Sequence, residues 1–242
     1  YKFRGFDKGS RGIYMHLLNQ KIRMNRKKIQ RLMSKYGLIC PIRKANPYRR
    51  MAKAMKTDNI SQNLVNREFK EHGPRKILLT DITYLFYNHG SKAYLSVIKD
   101  AYTKQVLAYT VSQSLAIDFV LETINILMRD HGVSLSSETI LHSDQGFHYT
   151  SISFRQLLKD EKVRQSMSRR GNCWDNAPQE SFFGHMKDEI HLNRCNSFLD
   201  LKIEIDDYMD YYNNDRYQWD LAKLSPNQYD IYLKTGVYPI NA

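Results

Sequence analysis

The chain has 242 residues, 42% of them hydrophobic, and a net charge of +12, which allows one large domain or a medium domain with an appendage. It contains no run of about 18 apolar residues, the length that spans a bilayer, and no signal-peptide pattern, so we expect no membrane association. Its three cysteines are irregularly spaced, which argues against a cysteine zinc site and favours reduced thiols in a cytoplasmic protein.

The charge is concentrated at the beginning of the chain. Residues 1–56 hold 17 Lys and Arg against one acid, Asp7, whereas the remaining residues hold 20 bases against 24 acids. A strongly basic head on a nearly neutral body predicts a polyanionic partner, most simply nucleic acid. A solvated basic surface is the alternative interpretation.

The basic head predicts two short helices. Residues 10–19 place apolar side chains at helical spacing, and Asn25 is a suitable N-cap for a second helix that ends near Gly37. Two such helices around a tight turn match a helix-turn-helix, although basic helical hairpins also serve as packing units. The second helix carries four candidate DNA-contacting cations: Arg26, Lys27, Lys28 and Arg31.

The rest of the chain alternates strand and helix patterns. Residues 41–68 read as a linker with a candidate short helix, and from Lys76 three β-rich runs predict an antiparallel meander. A helix (115–130), a strand ending at Asp144, a helix (152–160), a strand (163–167) and further helices follow. This order is that of a ribonuclease-H-like α/β fold. The expected domains are a helix-turn-helix domain (1–50), a linker (51–71) and an α/β core with C-terminal helices (72–242).

Three acids are placed to form one metal site. Asp81 lies within the first, central strand and Asp144 ends the adjacent fourth strand, so their side chains should lie close together. Glu180 joins them from the first turn of a later helix, for which Asn176 and Gln179 are the predicted N-cap pair. Clustered carboxylates are costly unless a cation holds them, and their oxygens suit Mg²⁺. Two such ions stabilise the attacking and leaving oxygens of an in-line phosphoryl displacement.

Other polar residues near these acids have two interpretations each. Asp100 is a rival carboxylate, but its position at a hairpin end favours a turn role. His142 and His148 flank Asp144 and would either orient water or phosphate or serve the structure. Trp174 would either stack on a base or anchor a loop. Arg169 and Arg170 lie in a polar loop before the Glu180 helix, where they would either contact DNA phosphates or remain solvated.

Four stretches of the sequence together point to a known family: TDITYL, HSDQGFHY, SMSRRGNCWDNAPQESFFGHMKDE and YYNNDRYQ…LSPNQY. They resemble the transposases of bacterial insertion sequences with a retroviral-integrase-like core, in particular the second-frame (OrfB) product of the insertion-sequence-three family. The resemblance covers nearly the whole chain and implies a DDE recombinase that cleaves and transfers DNA strands with two Mg²⁺ or Mn²⁺ ions. By motif, Asp81, Asp144 and Glu180 take the catalytic, metal-binding positions, and Lys187 matches a basic residue that follows the family's glutamate.

The resemblance also implies partners and a location. The expected partners are double-stranded DNA, both the element's terminal repeats and the target, a homo-oligomer on that DNA, and an upstream-frame protein or fusion. The expected location is the bacterial cytoplasm, in association with the nucleoid. Two other functions remain open at this point: a ribonuclease-H-like nuclease that cuts without joining, and a catalytically inactive DNA-binding protein.

Overall fold

The computed structural model describes residues 2–3, 6–40, 61–66, 68–69, 71–169 and 173–240. The chain divides into two compact units, which we name the terminal unit (Tyr1–Arg49 with Met209–Ala242) and the core unit (Arg50–Tyr208). The candidate short helix of the predicted linker falls mainly on residues 41–60, outside the described residues. No described helix is both long enough and apolar enough to cross a bilayer.

The terminal unit begins with a short antiparallel hairpin and two ten-residue helices: β1 Lys2–Phe3, β2 Phe6–Asp7, α1 Ser10–Asn19 and α2 Arg26–Lys35. The side chain of Asn25 accepts a hydrogen bond from the backbone N–H of Lys27 (2.9 Å), so it caps α2 as predicted. Gly37 follows α2 with a φ of +61°, a conformation that glycine adopts without strain. Met15 of α1 and Ile29 of α2 are buried. The predicted pair of basic helices is therefore confirmed.

The last part of the chain packs against α1. The side-chain amide of Asn19 donates to the carbonyl of Lys223 (3.4 Å), and the rings of Tyr14 and Trp219 lie 6.1 Å apart. A helix, α8 Pro226–Thr235, ends the described chain and begins with a capping box. The residues after 208 thus complete the terminal unit.

This arrangement differs from the expected division of the chain. The expected core held residues 72–242 together, whereas the structure groups Met209–Ala242 with the N-terminal helices. The division falls inside one long helix, α7 Phe198–Asn214. The expected boundaries at residues 50 and 71 remain a prediction.

The core unit is built on one five-stranded sheet, in which three strands form the predicted antiparallel meander and two further strands run parallel to the first. The strands are β3 Ile77–Tyr87, β4 Ser91–Asp100, β5 Val106–Ser112, β6 Ile140–Ser143 and β7 Arg164–Met167. Their spatial order is β5-β4-β3-β6-β7, so β3 is central and β6 lies beside it, as predicted. Buried apolar runs explain this position, because a central strand is covered on both faces.

Helices cover both faces of the sheet: α3 Asp118–His131, α4 Phe147–Thr150, α5 Ile152–Asp160, α6 Ala177–Glu189 and the first part of α7. On one face, α3 and α5 bury Val120, Ile124, Phe154 and Leu158 against Leu78 and its neighbours. Side chains alternate along a strand, so Leu79 and Asp81 point to the other face. Phe182 of α6 and Tyr208 of α7 are buried with their rings 6.5 Å apart. The structure thus has the layered α/β architecture that the sequence predicted.

Candidate active site

Strand pairing brings two of the three predicted acids to the same level of the sheet. In the parallel pair of β3 and β6, Leu79 lies opposite His142. Asp81 comes two residues further along β3, and Asp144 comes two residues after His142, just beyond the end of β6. Glu180 stands in the first turn of α6. The Asp144 position follows the last residue of β6, where the backbone leaves the sheet.

The pKa of Asp81 responds to the charges of both other acids. Burial, followed by the negative charge of Asp144, raises the pKa of Asp81 well above its ordinary value. A hydrogen bond from the backbone N–H of Ile82 to Asp81 Oδ1 (2.8 Å) opposes this shift. The charge of Glu180 adds to the rise, and the ammonium of Lys187 lowers it. Asp81 is therefore surrounded by negative charge that Lys187 partly offsets.

The carboxylate of Asp144 is fixed by the turn that follows it. Its Oδ1 accepts a hydrogen bond from the backbone N–H of Gly146 (2.8 Å). A Cβ atom at Gly146 would lie 2.8 Å from the same oxygen, closer than van der Waals contact allows. Glycine is therefore required here if the carboxylate is to keep this orientation.

The three acids do not form a complete metal-coordination shell. In the described ranges, no group of three His, Cys, Asp or Glu side chains is close enough to hold a metal ion without rearrangement. One oxygen of Asp81 and one of Asp144 each accept a hydrogen bond from a backbone N–H group. Among the described residues, no hydrogen bond to the second oxygen of either carboxylate is found. The donor set consists of carboxylate oxygens, which is the set that Mg²⁺ and Mn²⁺ prefer.

The rival and flanking residues have structural roles. Asp100 is fully buried and accepts a hydrogen bond from the Thr103 hydroxyl (2.7 Å), which confirms its turn role. The ring of His142 lies between the hydroxyls of Ser166 and Ser168, at 2.9 and 3.1 Å, and burial lowers its pKa to about 4.

His148 is likewise held inside the fold. Its Nε2 lies 2.7 Å from the carbonyl of Leu115, to which it donates, and its ring packs edge-on against Phe119. Both histidines therefore anchor the segments around Asp144, and neither is oriented toward a substrate by these contacts.

The predicted N-cap of α6 is wrong. Asn176 precedes the helix, but its side chain makes no capping hydrogen bond, and its ψ of 18° departs from the extended conformation of a capping residue. Within the described part of the chain, Asn176 Oδ1 and both polar side-chain atoms of Gln179 are buried without a hydrogen-bond partner. Pro178 does occupy the first turn, as predicted.

Arg169, before α6, takes part in an ion pair that the sequence did not indicate. Arg169 donates two hydrogen bonds of 3.0 Å to Asp175, whose side chain is 1% exposed. The side-chain amide of Asn63 donates to the same carboxylate (3.0 Å). Arg170 and the side chain of Trp174 lie outside the described residues, and Lys187 is exposed two turns after Glu180.

Comparison with known proteins identifies both parts of the chain. The integrase core domain family matches residues 71–173, a second integrase core domain family matches residues 180–231, and an HTH-like domain family matches residues 2–46. Two relatives match nearly the whole chain. A transposase-like protein of Haemophilus influenzae is 37% identical over 216 residues, which are 88% of this chain and 95% of that protein. The transposase for insertion sequence element IS904 of Lactococcus lactis is 30% identical over 220 residues, 89% and 84% of the two chains.

Solved structures show the same fold at low sequence identity. The catalytic core domain of BIV integrase matches with a TM-score of 0.51 and 18% identity, over 67% of this chain and 96% of that one. The simian T-cell lymphotropic virus intasome matches with a TM-score of 0.52 and 14% identity, over 91% and 73% of the chains. The sheet order and these likenesses agree on a ribonuclease-H-like core. Taken with the two relatives, they show that the chain belongs to the DDE transposases of insertion sequences, polynucleotidyl transferases that move DNA by strand cleavage and strand transfer.

Proposed function

We propose that Asp81, Asp144 and Glu180 are the catalytic carboxylates of this transposase and that they hold two divalent metal ions, Mg²⁺ or Mn²⁺. The observation that carries this proposal is the pairing of Leu79 with His142, because Asp81 and Asp144 each follow one of these paired residues by two positions. The influence of Glu180 on the pKa of Asp81 supports its membership of the same cluster. Three clustered carboxylates without a cation repel one another, so a divalent ion would stabilise the arrangement.

The residues of this chain divide the work of such a site. The N–H groups of Ile82 and Gly146 fix one oxygen of Asp81 and one of Asp144, and the other oxygen of each carboxylate would hold an ion. Glu180, on a helix rather than on the sheet, closes the third side. When bound, the ions supply Lewis-acid stabilisation of the attacking and leaving oxygens of a phosphodiester. The same three carboxylates then serve both strand cleavage and strand transfer.

DNA binding is proposed to depend on the terminal unit. That unit holds 17 Lys and Arg against 5 Asp and Glu, whereas the core unit holds 20 of each, so the whole net charge of +12 resides in the terminal unit. Ile29 of α2 is buried, while Lys27, Lys28 and Arg31 are exposed and Arg26 is half-buried. We propose that these four cations bind DNA phosphates.

A second set of cations near the acids is proposed to contact the scissile end: Arg169, Arg170 and Lys187. Lys187 has the strongest support, because its charge acts on Asp81 and its side chain is exposed. The side chain of Arg169 is 54% exposed despite its bonds to Asp175, so its outer edge is available to a phosphate. Arg170 is proposed on its position in the sequence alone.

The proposed assembly is a homo-oligomer on DNA. An element has two ends, and each must be cleaved and joined to the target. One chain supplies one such set of three acids in its described residues, so two or more copies are needed for both ends. The proposed DNA partners are the terminal repeats and the target. An upstream-frame protein or fusion is a further proposed partner. The proposed location is the bacterial cytoplasm, at the nucleoid.

Manganese binding tests the proposed site directly. Free Mn²⁺ can be measured by electron paramagnetic resonance as the full chain is titrated in the presence of an element-end duplex. We expect two ions per chain in the native protein and loss of both in the double variant Asp81→Asn with Glu180→Gln. Asp207→Asn, an exposed acid of α7, is the matched control and should bind both ions. Equal Mn²⁺ binding by the double variant and the control would contradict the proposal.

A further inference from the structure

A lysine side chain is buried beneath the helix that carries Glu180. Lys99 belongs to β4 and is only 3% exposed. Its Nζ donates a hydrogen bond to the carbonyl of Pro178 (2.8 Å) and lies 5.1 Å from the centroid of the Phe182 ring. Both partners are residues of α6. Lys99 thus connects the sheet to the first two turns of that helix.

The position of Lys99 relates it to two of the three acids at once. In the β3–β4 pairing, Lys99 lies opposite Leu79 and Asp81 lies opposite Val97, so Lys99 and Asp81 are diagonal neighbours on one face of the sheet. On the helix, the carbonyl that Lys99 binds belongs to the residue two positions before Glu180. Lys99 therefore connects the strand pair that carries Asp81 with the helix turn that bears Glu180.

The energetics indicate that this lysine is retained for a specific purpose. Removing an ammonium from water is costly, and the ring of Phe182 and the Pro178 carbonyl are among the groups that offset that cost. The placement also runs against the helix dipole, which disfavours a cation at the N-terminus of a helix. An apolar residue would pack here without either penalty. Residues that depart from such rules are concentrated at functional sites.

The first turn of α6 also lacks its usual fastening. Asn176 does not cap the helix, and Gln179 makes no side-chain hydrogen bond within the described residues. We propose that Lys99 is a positioning residue, which holds the first turn of α6 so that Glu180 faces Asp81 and Asp144. This inference rests on the proposed role of the three carboxylates. Lys99 itself has no proposed contact with DNA or metal.

The sequence contained one signal for this residue. Lys99 directly follows the largely apolar run YLSVI, whose last four residues are buried. A lysine near the end of a strand usually extends into solvent, which is why the pattern alone did not single it out.

The test compares three variants of the full chain. Lys99→Met keeps the length and the apolar stem but removes the donor, Lys99→Arg keeps a cationic donor, and Lys92→Met removes an exposed lysine from the same strand. All are assayed below their melting temperatures for end-DNA binding and for single-turnover end cleavage. We expect unchanged DNA binding in all three variants. Cleavage should fall about 100-fold in Lys99→Met, as expected for a misplaced catalytic group. It should recover partly in Lys99→Arg and stay at the wild-type rate in Lys92→Met.

A second readout reports the geometry of the site without requiring activity. Fe²⁺ with ascorbate generates hydroxyl radicals that cut the polypeptide beside a bound metal. The native protein should be cut near Asp144 and near Glu180, whereas Lys99→Met should retain the first cut and lose the second. Both cuts together with wild-type cleavage of DNA in Lys99→Met would overturn the role of Lys99. Absence of both cuts in the native protein would instead contradict the proposed metal site, and the role of Lys99 would fall with it.

Discussion

The guanidinium of Arg169 donates from Nε to Oδ2 and from Nη2 to Oδ1 of Asp175, each over 3.0 Å. The backbone N–H of Arg169 donates to the same carboxylate over 3.0 Å. Asp175 is buried and lies two residues before the first residue of α6. This bidentate pair therefore connects the described residue after β7 with the described residues just before α6.

The Arg169–Asp175 pair predicts that lysine cannot replace arginine. Arg169→Lys keeps the charge for a phosphate contact but loses the planar fork that matches a carboxylate. We expect a lower melting temperature and slower end cleavage in Arg169→Lys, and the same in Asp175→Asn. The double variant should be little worse than either single variant, because both remove one interaction. Fully additive losses in thermal denaturation would contradict this structural role.

Gly146 provides a test of how strictly Asp144 must be oriented. In Gly146→Ala the new Cβ would lie 2.8 Å from Asp144 Oδ1, so the carboxylate must turn. We expect end cleavage to fall about 100-fold, because small misplacements of a catalytic group have effects of that size, with end-DNA binding unchanged. Gly132→Ala is the matched control, since its Cβ would meet Met128 Cε at an ordinary 3.5 Å. Equal cleavage rates in the two variants would refute the requirement.

The uneven charge predicts where DNA affinity resides. Changing the four cations of α2, Arg26, Lys27, Lys28 and Arg31, to Gln should reduce the slope of log affinity against log salt, by about 0.9 for each phosphate that is no longer neutralised. The control changes four exposed lysines of the core unit: Lys92, Lys159, Lys162 and Lys202. Both variants have four fewer positive charges, so only position distinguishes them. Identical salt slopes, measured by fluorescence anisotropy on duplex DNA, would rule out α2 as the main phosphate-binding element.

Lys187 should influence the chemistry more than the fold. It is exposed, and its charge acts on Asp81 across the candidate site. Lys187→Ala should slow strand transfer about tenfold, which corresponds to the loss of one charge-assisted hydrogen bond of about 1.5 kcal/mol, while the melting temperature stays the same. Lys187→Arg should restore most of the rate. A joining rate unaffected by Lys187→Ala at physiological salt would remove this residue from the site.

Local patterns predicted most of the sheet and its helices. The β-branched and aromatic runs around Asp81 identified a central strand, and the Asn25 cap located the start of α2 to the residue. These features depend on a few neighbouring residues, so they can be read in order along the chain. The level of Asp144 beside Asp81 followed once the order of strands was known.

Features that depend on distant contacts could not be predicted in the same way. Asn19 and Lys223 meet across 204 positions of sequence, and nothing local announces that pairing. Asn176 has the residue type of a cap, but the loop held by Asp175 gives it a backbone conformation that does not cap. The contact of Lys99 with Pro178 exists only because α6 packs over β4, which the sequence of β4 does not indicate. In each case the decisive partner comes from another element.

The central claim is that Asp81, Asp144 and Glu180 act as one metal-dependent site for both cleavage and joining. Asp81→Asn, Asp144→Asn and Glu180→Gln each preserve shape and remove one charge. The most direct measurement is a cleavage and strand-transfer assay of these three variants on labelled end DNA with Mg²⁺ and with Mn²⁺, beside an end-binding assay. We predict that each single variant loses both reactions while binding DNA normally, and that combining them causes little further loss. Wild-type cleavage or joining in any one of the three variants would contradict the claim.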